Sequence, residues 1–127
     1  MAITLQRVPG EYAAHRLAPD ADIPAEAWDA PFVSIGRSHD ELSIITGNDI
    51  HIASDSKVGP WLAYRVPGAI DFSATGIMAA LTAPLAEAGI GILGISTYDT
   101  DYILVRADAG VAAEIAWRAV GISIDVT

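Results

Sequence analysis

The sequence predicts an α+β fold, and three observations on its C-terminal half support this prediction. Alternating β-favouring residues indicate strands at Trp61 to Val66 and at Ile122 to Val126. Apolar residues at helical spacing indicate two helices between these strands. Two short strands, Ile90 to Thr97 and Tyr102 to Arg106, lie between the helices and are joined by a tight turn. The order βαββαβ is that of a ferredoxin-like unit, with an antiparallel sheet and both helices on one face.

The first helix is predicted to bury a stripe of residues spaced four apart, namely Ile77, Leu81 and Leu85. Asp71 or Ser73 can cap its N-terminus by accepting a backbone hydrogen bond. Pro84 is expected to kink or interrupt the helix, because proline lacks the N–H group. Gly89 is expected to end it.

The second helix is predicted to be capped by Asp108 and to be closed by Gly121. We expect its buried face to consist of aliphatic and alanine side chains that recur at helical spacing, namely Val111, Ala112, Ile115 and Ala119.

The stretch 76–95 has Glu87 as its only charged residue, and its length would be enough to span a bilayer. It contains Pro84, and its pattern changes from helical to strand-like midway, so we interpret it as a buried helix that continues into a buried strand.

The N-terminal half is predicted to be a looser version of the same unit. Ile3 to Val8 and Tyr12 to Leu17 are strand-like, and the stretch 20–28 allows only a helical turn or two. Phe32 to Gly36 and Glu41 to Thr46 form a predicted hairpin. The polar stretch 48–60 is the natural boundary. We therefore expect two tandem units, a degenerate one over 1–58 and a complete one over 59–127.

Composition excludes several classes of function. The chain has 127 residues and a formal net charge of −9, without a basic cluster, so nucleic acid and anionic membranes are disfavoured as partners. It has no cysteine, which excludes disulfides and thiolate sites and fits a cytoplasmic location. Its first residues lack the apolar run of a signal peptide.

Motifs that would indicate an enzyme or a cofactor site do not withstand inspection. Gly89 to Gly94 spells G-x-G-x-x-G, but the helix precedes these glycines where a dinucleotide site needs it to follow. Tyr98 stands where a nucleophile elbow around Ser96 needs glycine. The spacing of His39-Asp40-Glu41 and His51 matches no metal motif. No catalytic residue, metal or cofactor is therefore predicted.

Two neighbouring segments suit the two ends of a free amino acid. The glycine-bearing loop 68–76 enters a helix, whose N-terminal N–H groups suit a carboxylate. Asp99 and Asp101 share a face of the following turn and suit an ammonium group. The alternative is that both segments are structural: Asp and Thr also favour tight turns, and the loop needs a helix cap in any case.

The segments Ile70-Asp-Phe-Ser-Ala-Thr-Gly-Ile-Met and Ile95-Ser-Thr-Tyr-Asp-Thr-Asp-Tyr-Ile-Leu-Val resemble the ACT domain superfamily. The chain is most similar to small tandem-ACT proteins related to the cytosolic arginine-sensor family and to the regulatory ends of aspartate kinases. The resemblance implies two ACT units and an effector site between units. By position, its ligand-binding residues would be Gly68, Ala69, Ile70, Asp71, Phe72, Ser73, Thr97, Tyr98, Asp99, Thr100 and Asp101.

The sequence thus predicts a non-catalytic regulatory protein that binds an amino acid or a similar effector and acts on an unnamed protein partner. The alternative is an assembly module that oligomerises through its sheets without an effector. Because ferredoxin-like units leave sheet edges unpaired, we expect a homodimer that covers them.

Overall fold

The computed structural model describes residues 3–68 and 76–125. The described residues form eight strands, two α-helices and two 3-10 helices. The strands are β1 (Thr4–Arg7), β2 (Tyr12–Leu17), β3 (Ser34–Arg37), β4 (Leu42–Gly47), β5 (Ser56–Arg65), β6 (Ile92–Ser96), β7 (Asp101–Arg106) and β8 (Ser123–Asp125). The helices are α1 (Ile77–Glu87) and α2 (Gly110–Ala119), with 3-10 turns at Ala25–Trp28 and Ala107–Ala109.

The chain divides into two compact units that do not follow a single cut in the sequence. Unit 1 comprises Met1–Val8 and Leu62–Thr127, and unit 2 comprises Pro9–Trp61. The predicted division at 58/59 places residues 1–8 in the N-terminal unit, whereas this division places them in unit 1. The physical reason is strand pairing, because β1 pairs with β5 and β8 and not with its neighbour in sequence.

Unit 1 has the predicted order βαββαβ from β5 to β8, with one strand added. Its sheet runs β6-β7-β5-β1-β8. β1 is antiparallel to β5, with Gln6 opposite Arg65, and parallel to β8, with Leu5 opposite Ile124. The predicted antiparallel sheet is thus confirmed for most strand pairs, and the exception is the parallel pair that β1 forms with β8. Periodicity within the C-terminal half gave no sign that a distant strand would insert there.

The first helix buries the predicted stripe. Leu81 and Leu85 are fully buried, and Ile77 packs against the same core. α1 continues through Pro84 as far as Glu87, and Gly89 follows with a φ of 74°, as expected for a glycine that ends a helix. Neither described α-helix is long and apolar enough to cross a membrane.

The predicted N-terminal caps of both helices are wrong, whereas Gly121 follows α2 with a φ of 87°, as predicted for the glycine that closes it. α1 begins after Gly76, which has a φ of 82° and occupies the cap position, whereas Asp71 and Ser73 lie outside the described residues. α2 begins at Gly110, and Asp108 lies in the preceding 3-10 turn without forming a side-chain cap.

The predicted inward face of α2 is also wrong. Val111 is 77% exposed and Ile115 is 61% exposed, whereas Gly110, Ala113 and Trp117 are buried. Both sets recur at helical spacing, so periodicity alone allowed either face of α2 to be buried. The indole of Trp117 determines which face packs inward, because it is the largest apolar group on the helix and gains most from burial.

Trp117 connects α2 to the rest of the unit 1 core. Its Nε1 donates a hydrogen bond to the backbone oxygen of Leu81, at 2.8 Å. Its ring meets that of Tyr64 edge-on, with centroids 4.9 Å apart. A Cβ atom at Gly110 would lie 2.5 Å from Cδ1 of Leu62, so the glycine lets the helix approach β5 closely.

Unit 2 is an antiparallel sheet of order β3-β4-β2-β5, and its predicted hairpin is confirmed by the pairing of β3 with β4. The 3-10 turn at Ala25–Trp28 agrees with the predicted helical turn. The hydroxyl of Thr46 donates to the backbone oxygen of Ala27, at 2.6 Å. β5 already begins at Ser56, so the linker is shorter than the predicted 48–60.

Candidate functional site

The turn that joins β6 to β7 is closed by its own hydrogen bonds. The backbone N–H of Thr97 donates to the backbone oxygen of Thr100, at 2.9 Å. The Thr97 hydroxyl donates to that oxygen at 3.1 Å and accepts from the N–H of Thr100 at 3.4 Å. Tyr98 and Asp99 therefore lie at the tip of an ordered turn, where both are exposed.

Thr100 connects this turn to the end of β5. Its side chain is 5% exposed, and its hydroxyl donates to the backbone oxygen of Val66. The N–H of Val66 in turn donates to the backbone oxygen of Asp101, at 3.3 Å. Gly68 follows two residues later with a φ of 85°. The start of the predicted carboxylate loop is thus attached to the predicted ammonium-binding turn.

The two aspartates of the turn differ in their surroundings. Asp101 is half-buried, and its Oδ1 accepts a hydrogen bond from the hydroxyl of Ser96, at 2.7 Å. This contact orients the carboxylate. Asp99 is exposed.

Of the predicted site residues, the structure describes Gly68 and the five residues 97–101, and it places them in unit 1. The other predicted residues, Ala69, Ile70, Asp71, Phe72 and Ser73, lie outside the described part of the chain.

Comparison with known proteins identifies the family. A model of the ACT domain matches residues 58–116, which contain the whole of the described site. A structure from Agobacterium tumefaciens is 33% identical, covers 100% of this chain and 95% of its own, and superposes with a TM-score of 0.92. The chain belongs to the ACT domain superfamily. A second family model, of an N-terminal domain, matches residues 10–55.

More distant structures share the fold of this ACT-domain chain. A Vibrio cholerae protein of unknown function, described as a possible transport protein, is 17% identical, with a TM-score of 0.70 and coverage of 94% of this chain and 91% of its own. The regulatory subunit of aspartate kinase from Thermus thermophilus, in a ligand-free form, is 14% identical, with a TM-score of 0.64 and coverage of 94% and 98%. No curated protein sequence matches the chain significantly.

Unit 2 contains a histidine–serine contact that the sequence did not reveal. His15 is 3% exposed, and its Nδ1 lies 2.9 Å from the hydroxyl oxygen of Ser54. The two residues are 39 positions apart, so only the pairing of β2 with β5 could have suggested their proximity. Burial lowers the pKa of His15 below its ordinary value of 6.5, and the positive charge of Lys57 and the neighbouring His51 lower it further.

This contact lacks the third member of a catalytic triad. In a triad, the second ring nitrogen of the histidine is oriented by an acceptor. Nε2 of His15 is buried and has no hydrogen-bond partner among the described residues. Nor do residues 3–68 and 76–125 contain a group of three or more ligand-type side chains that could hold a metal ion, and His39, Asp40 and Glu41 belong to this range.

Unit 2 also contains an open cavity of about 410 Å³. Its lining includes three carboxylates, those of Glu11, Asp29 and Asp49, which are all exposed to solvent. The stretch Asn48 to Ile50 forms one of its walls.

Proposed function

We propose that this ACT-domain chain is a non-catalytic regulatory protein that binds a free amino acid in unit 1. The site comprises the loop after β5 and the β6–β7 turn, with the residues Gly68, Ala69, Ile70, Asp71, Phe72, Ser73, Thr97, Tyr98, Asp99, Thr100 and Asp101. The observation that supports it most strongly is the pair of hydrogen bonds between Val66 and the residues Thr100 and Asp101. They attach the chain just before Gly68 to the β6–β7 turn.

The chemistry of the two halves is complementary to an α-amino acid. Backbone N–H groups of 68–73 would meet the carboxylate, and the positive φ of Gly68 lets the chain turn there without a steric penalty. Asp101 is already oriented by Ser96 through one carboxylate oxygen, and its other oxygen would accept from the ammonium group. Asp99 is the alternative acceptor.

The similarity to regulatory subunits of aspartate kinase supports a regulatory role, exerted on a protein partner that the chain itself does not contain. The same similarity to regulatory subunits supports the non-catalytic part of the proposal. We further propose that unit 2 is a degenerate ACT-like unit, in which a 3-10 turn stands in place of the first helix.

The proposed assembly is a cytoplasmic homodimer. β6 and β8 end the sheet of unit 1, so each offers one edge for pairing. Residues 88–98, which include β6, carry no charged side chain that would prevent edge pairing. Sedimentation at tens of micromolar is expected to give a dimer, and a lysine in place of the half-buried Ile95 on β6 is expected to give a monomer. A wild-type monomer contradicts this proposal.

The second candidate is an assembly module without an effector. Two observations favour it: the Ser96–Asp101 contact also serves the turn itself, and the exposed Val111 and Ile115 on α2 offer apolar surface to a partner. In this case the turn would be structural and would bind no ligand.

A thermal-shift screen across the twenty amino acids, followed by calorimetry, separates the two candidates. A ligand that binds the native state raises the midpoint of unfolding with its concentration. We expect at least one amino acid to do so, and we expect its amide or its decarboxylated amine to fail, because each lacks the charged carboxylate. Absence of any shift with all twenty favours the assembly module.

A further inference from the structure

The segment 48–55, which connects β4 to β5, is attached to the sheet of unit 2 through two neighbouring residues of β2. The ring of His15 meets the hydroxyl of Ser54 through Nδ1, at 2.9 Å. The backbone N–H of Asp55 donates to the backbone oxygen of Arg16, also at 2.9 Å. The exposed side chains of these last two residues approach only to 3.9 Å, an arrangement that contributes little to stability. The partly buried contact with His15 is therefore the main polar side-chain attachment at this end of the segment, whereas the middle of the segment is fixed by Ile52, which is buried in the core of unit 2.

The surroundings of His15 disfavour a positive charge on its ring. The residue is 3% exposed, and its Nε2 has no partner in the described structure. A neutral imidazole leaves this one nitrogen unsatisfied, whereas a protonated one carries a donor on both nitrogens and a buried charge as well. An unpaired buried charge is far more costly than an unpaired neutral group.

Of the two strands paired with β2, β5 reinforces this effect and β4 does not oppose it. β4 places Ile44 directly opposite and carries no ionisable residue. β5 places Lys57 opposite on the other side, and the ammonium group of Lys57 is held by the backbone oxygen of Asn48, at 3.2 Å.

The remaining ionisable groups nearby do not supply a counter-charge to the ring. His51, on the connecting segment, opposes protonation of His15. The carboxylate of Asp55 is directed to the side chain of Arg16, and Glu26 on the 3-10 turn is exposed. The surroundings of the imidazole are therefore apolar or cationic.

We propose that His15 is an acid-sensitive latch, whose protonation releases the end of this segment, residues 53–55, from β2. Burial and the positive neighbours, which lower the pKa of His15, act in the same direction. Ile52 stays buried in the core of unit 2, and the backbone N–H of Asn48 stays bonded to the backbone oxygen of Glu11, so the release is confined to the end of the segment. Acidification would thus open unit 2 locally and leave unit 1 unchanged.

Amide hydrogen exchange at single-residue resolution tests the latch directly. The amide of Asp55 is the reporter, because it is bonded to Arg16 across the released contact. The pKa of His15 in the latched state is lower than its ordinary value of 6.5, which applies to the released state. After correction for the intrinsic exchange rate, protection of this amide should therefore fall between pH 7.5 and pH 5.5, by at most about tenfold.

Three controls make the experiment decisive. The amide of Ile122, bonded to the backbone oxygen of Trp117 in unit 1, should show no such loss. His15→Gln should abolish the pH dependence, whereas His39→Gln, on an exposed turn, should retain it. Titration of the wild-type imidazole by NMR provides a readout that needs no variant. A His15 ring that titrates at 6.5 or above, or an unchanged pH dependence in His15→Gln, overturns the latch.

Discussion

The two units of this chain differ in how they satisfy one buried polar group. In unit 1, the buried donors have acceptors: Nε1 of Trp117 reaches the backbone oxygen of Leu81, and the hydroxyl of Tyr64 donates to Glu114 at 2.7 Å. In unit 2, the buried imidazole of His15 has one nitrogen that meets no partner in the described part of the chain. Unit 1 therefore depends on apolar packing and satisfied polar groups, whereas unit 2 depends in part on an imidazole that stays neutral.

The largest expected effect is the loss of the indole from unit 1. Trp117→Ala removes a fully buried ring, its contact with Tyr64 and its hydrogen bond to Leu81. We expect the free energy of unfolding to fall by about 3–5 kcal/mol. Urea unfolding followed by far-UV circular dichroism measures it. The matched control is Trp28→Ala in unit 2, where the side chain is 59% exposed and the change should be within about 0.5 kcal/mol. Equal losses would contradict the assignment of Trp117 as the anchor of α2.

Thr100→Val should have the next largest effect, because it leaves the backbone oxygen of Val66 without its donor in a buried place. We expect a loss of about 1–3 kcal/mol. Thr97→Val is the control, since Thr97 is exposed and water can replace its hydroxyl contacts. A silent Thr100→Val would mean that the turn is not fixed to β5 by this bond.

The pH dependence of stability should differ between the units. The pKa of His15 is lower in the folded chain than in the unfolded one, so its contribution to stability is complete above pH 6.5 and is lost as the pH falls below that value. The slope approaches about 1.4 kcal/mol per pH unit at most. Burial and the hydrogen bond to Glu114 raise the pKa of Tyr64 in unit 1, and this shift has no effect in the acidic range. Urea unfolding at several pH values should show the acid-dependent loss in wild type and not in His15→Gln.

The smallest effect is expected on the exposed face of α2. Ile115→Lys should change stability by less than about 0.5 kcal/mol, because Ile115 is 61% exposed. Ala113→Lys, two residues earlier on the buried face, should destabilise unit 1 strongly, because it buries a charge. A larger loss of stability in Ile115→Lys than in Ala113→Lys would support the inward face that periodicity predicted.

Short-range patterns predicted unit 1 better than any longer-range feature. The Leu81/Leu85 stripe, the end of α1 at Gly89 and the β6–β7 turn follow from spacing and turn chemistry alone. The insertion of β1 beside β8 does not, because pairing between distant strands leaves no local pattern. The inward face of α2 failed for a different reason, since two stripes competed and only packing against the sheet distinguished them.

The candidate site was predictable to a similar extent. Residue types indicated an acidic turn and a glycine-bearing loop close to it in sequence, and the family resemblance suggested that the two bind one ligand. The sequence could not show that Thr100 is buried and bonded to Val66, since this depends on the pairing of β7 with β5. For the same reason, it could not bring His15 next to Ser54.

The proposal that unit 1 binds an α-amino acid is tested most directly at Asp101. Asp101→Asn keeps the size of the side chain, and its amide can still accept from the Ser96 hydroxyl, but the negative charge is lost. If the carboxylate meets the ammonium group, affinity for the amino acid found by the screen should fall about tenfold or more, which is about 1.4 kcal/mol. The measurement is calorimetric titration of wild type and Asp101→Asn, with unfolding of both ligand-free forms as the control for folding. Equal affinities in two equally stable proteins would show that the acidic turn is structural and would contradict the proposed site.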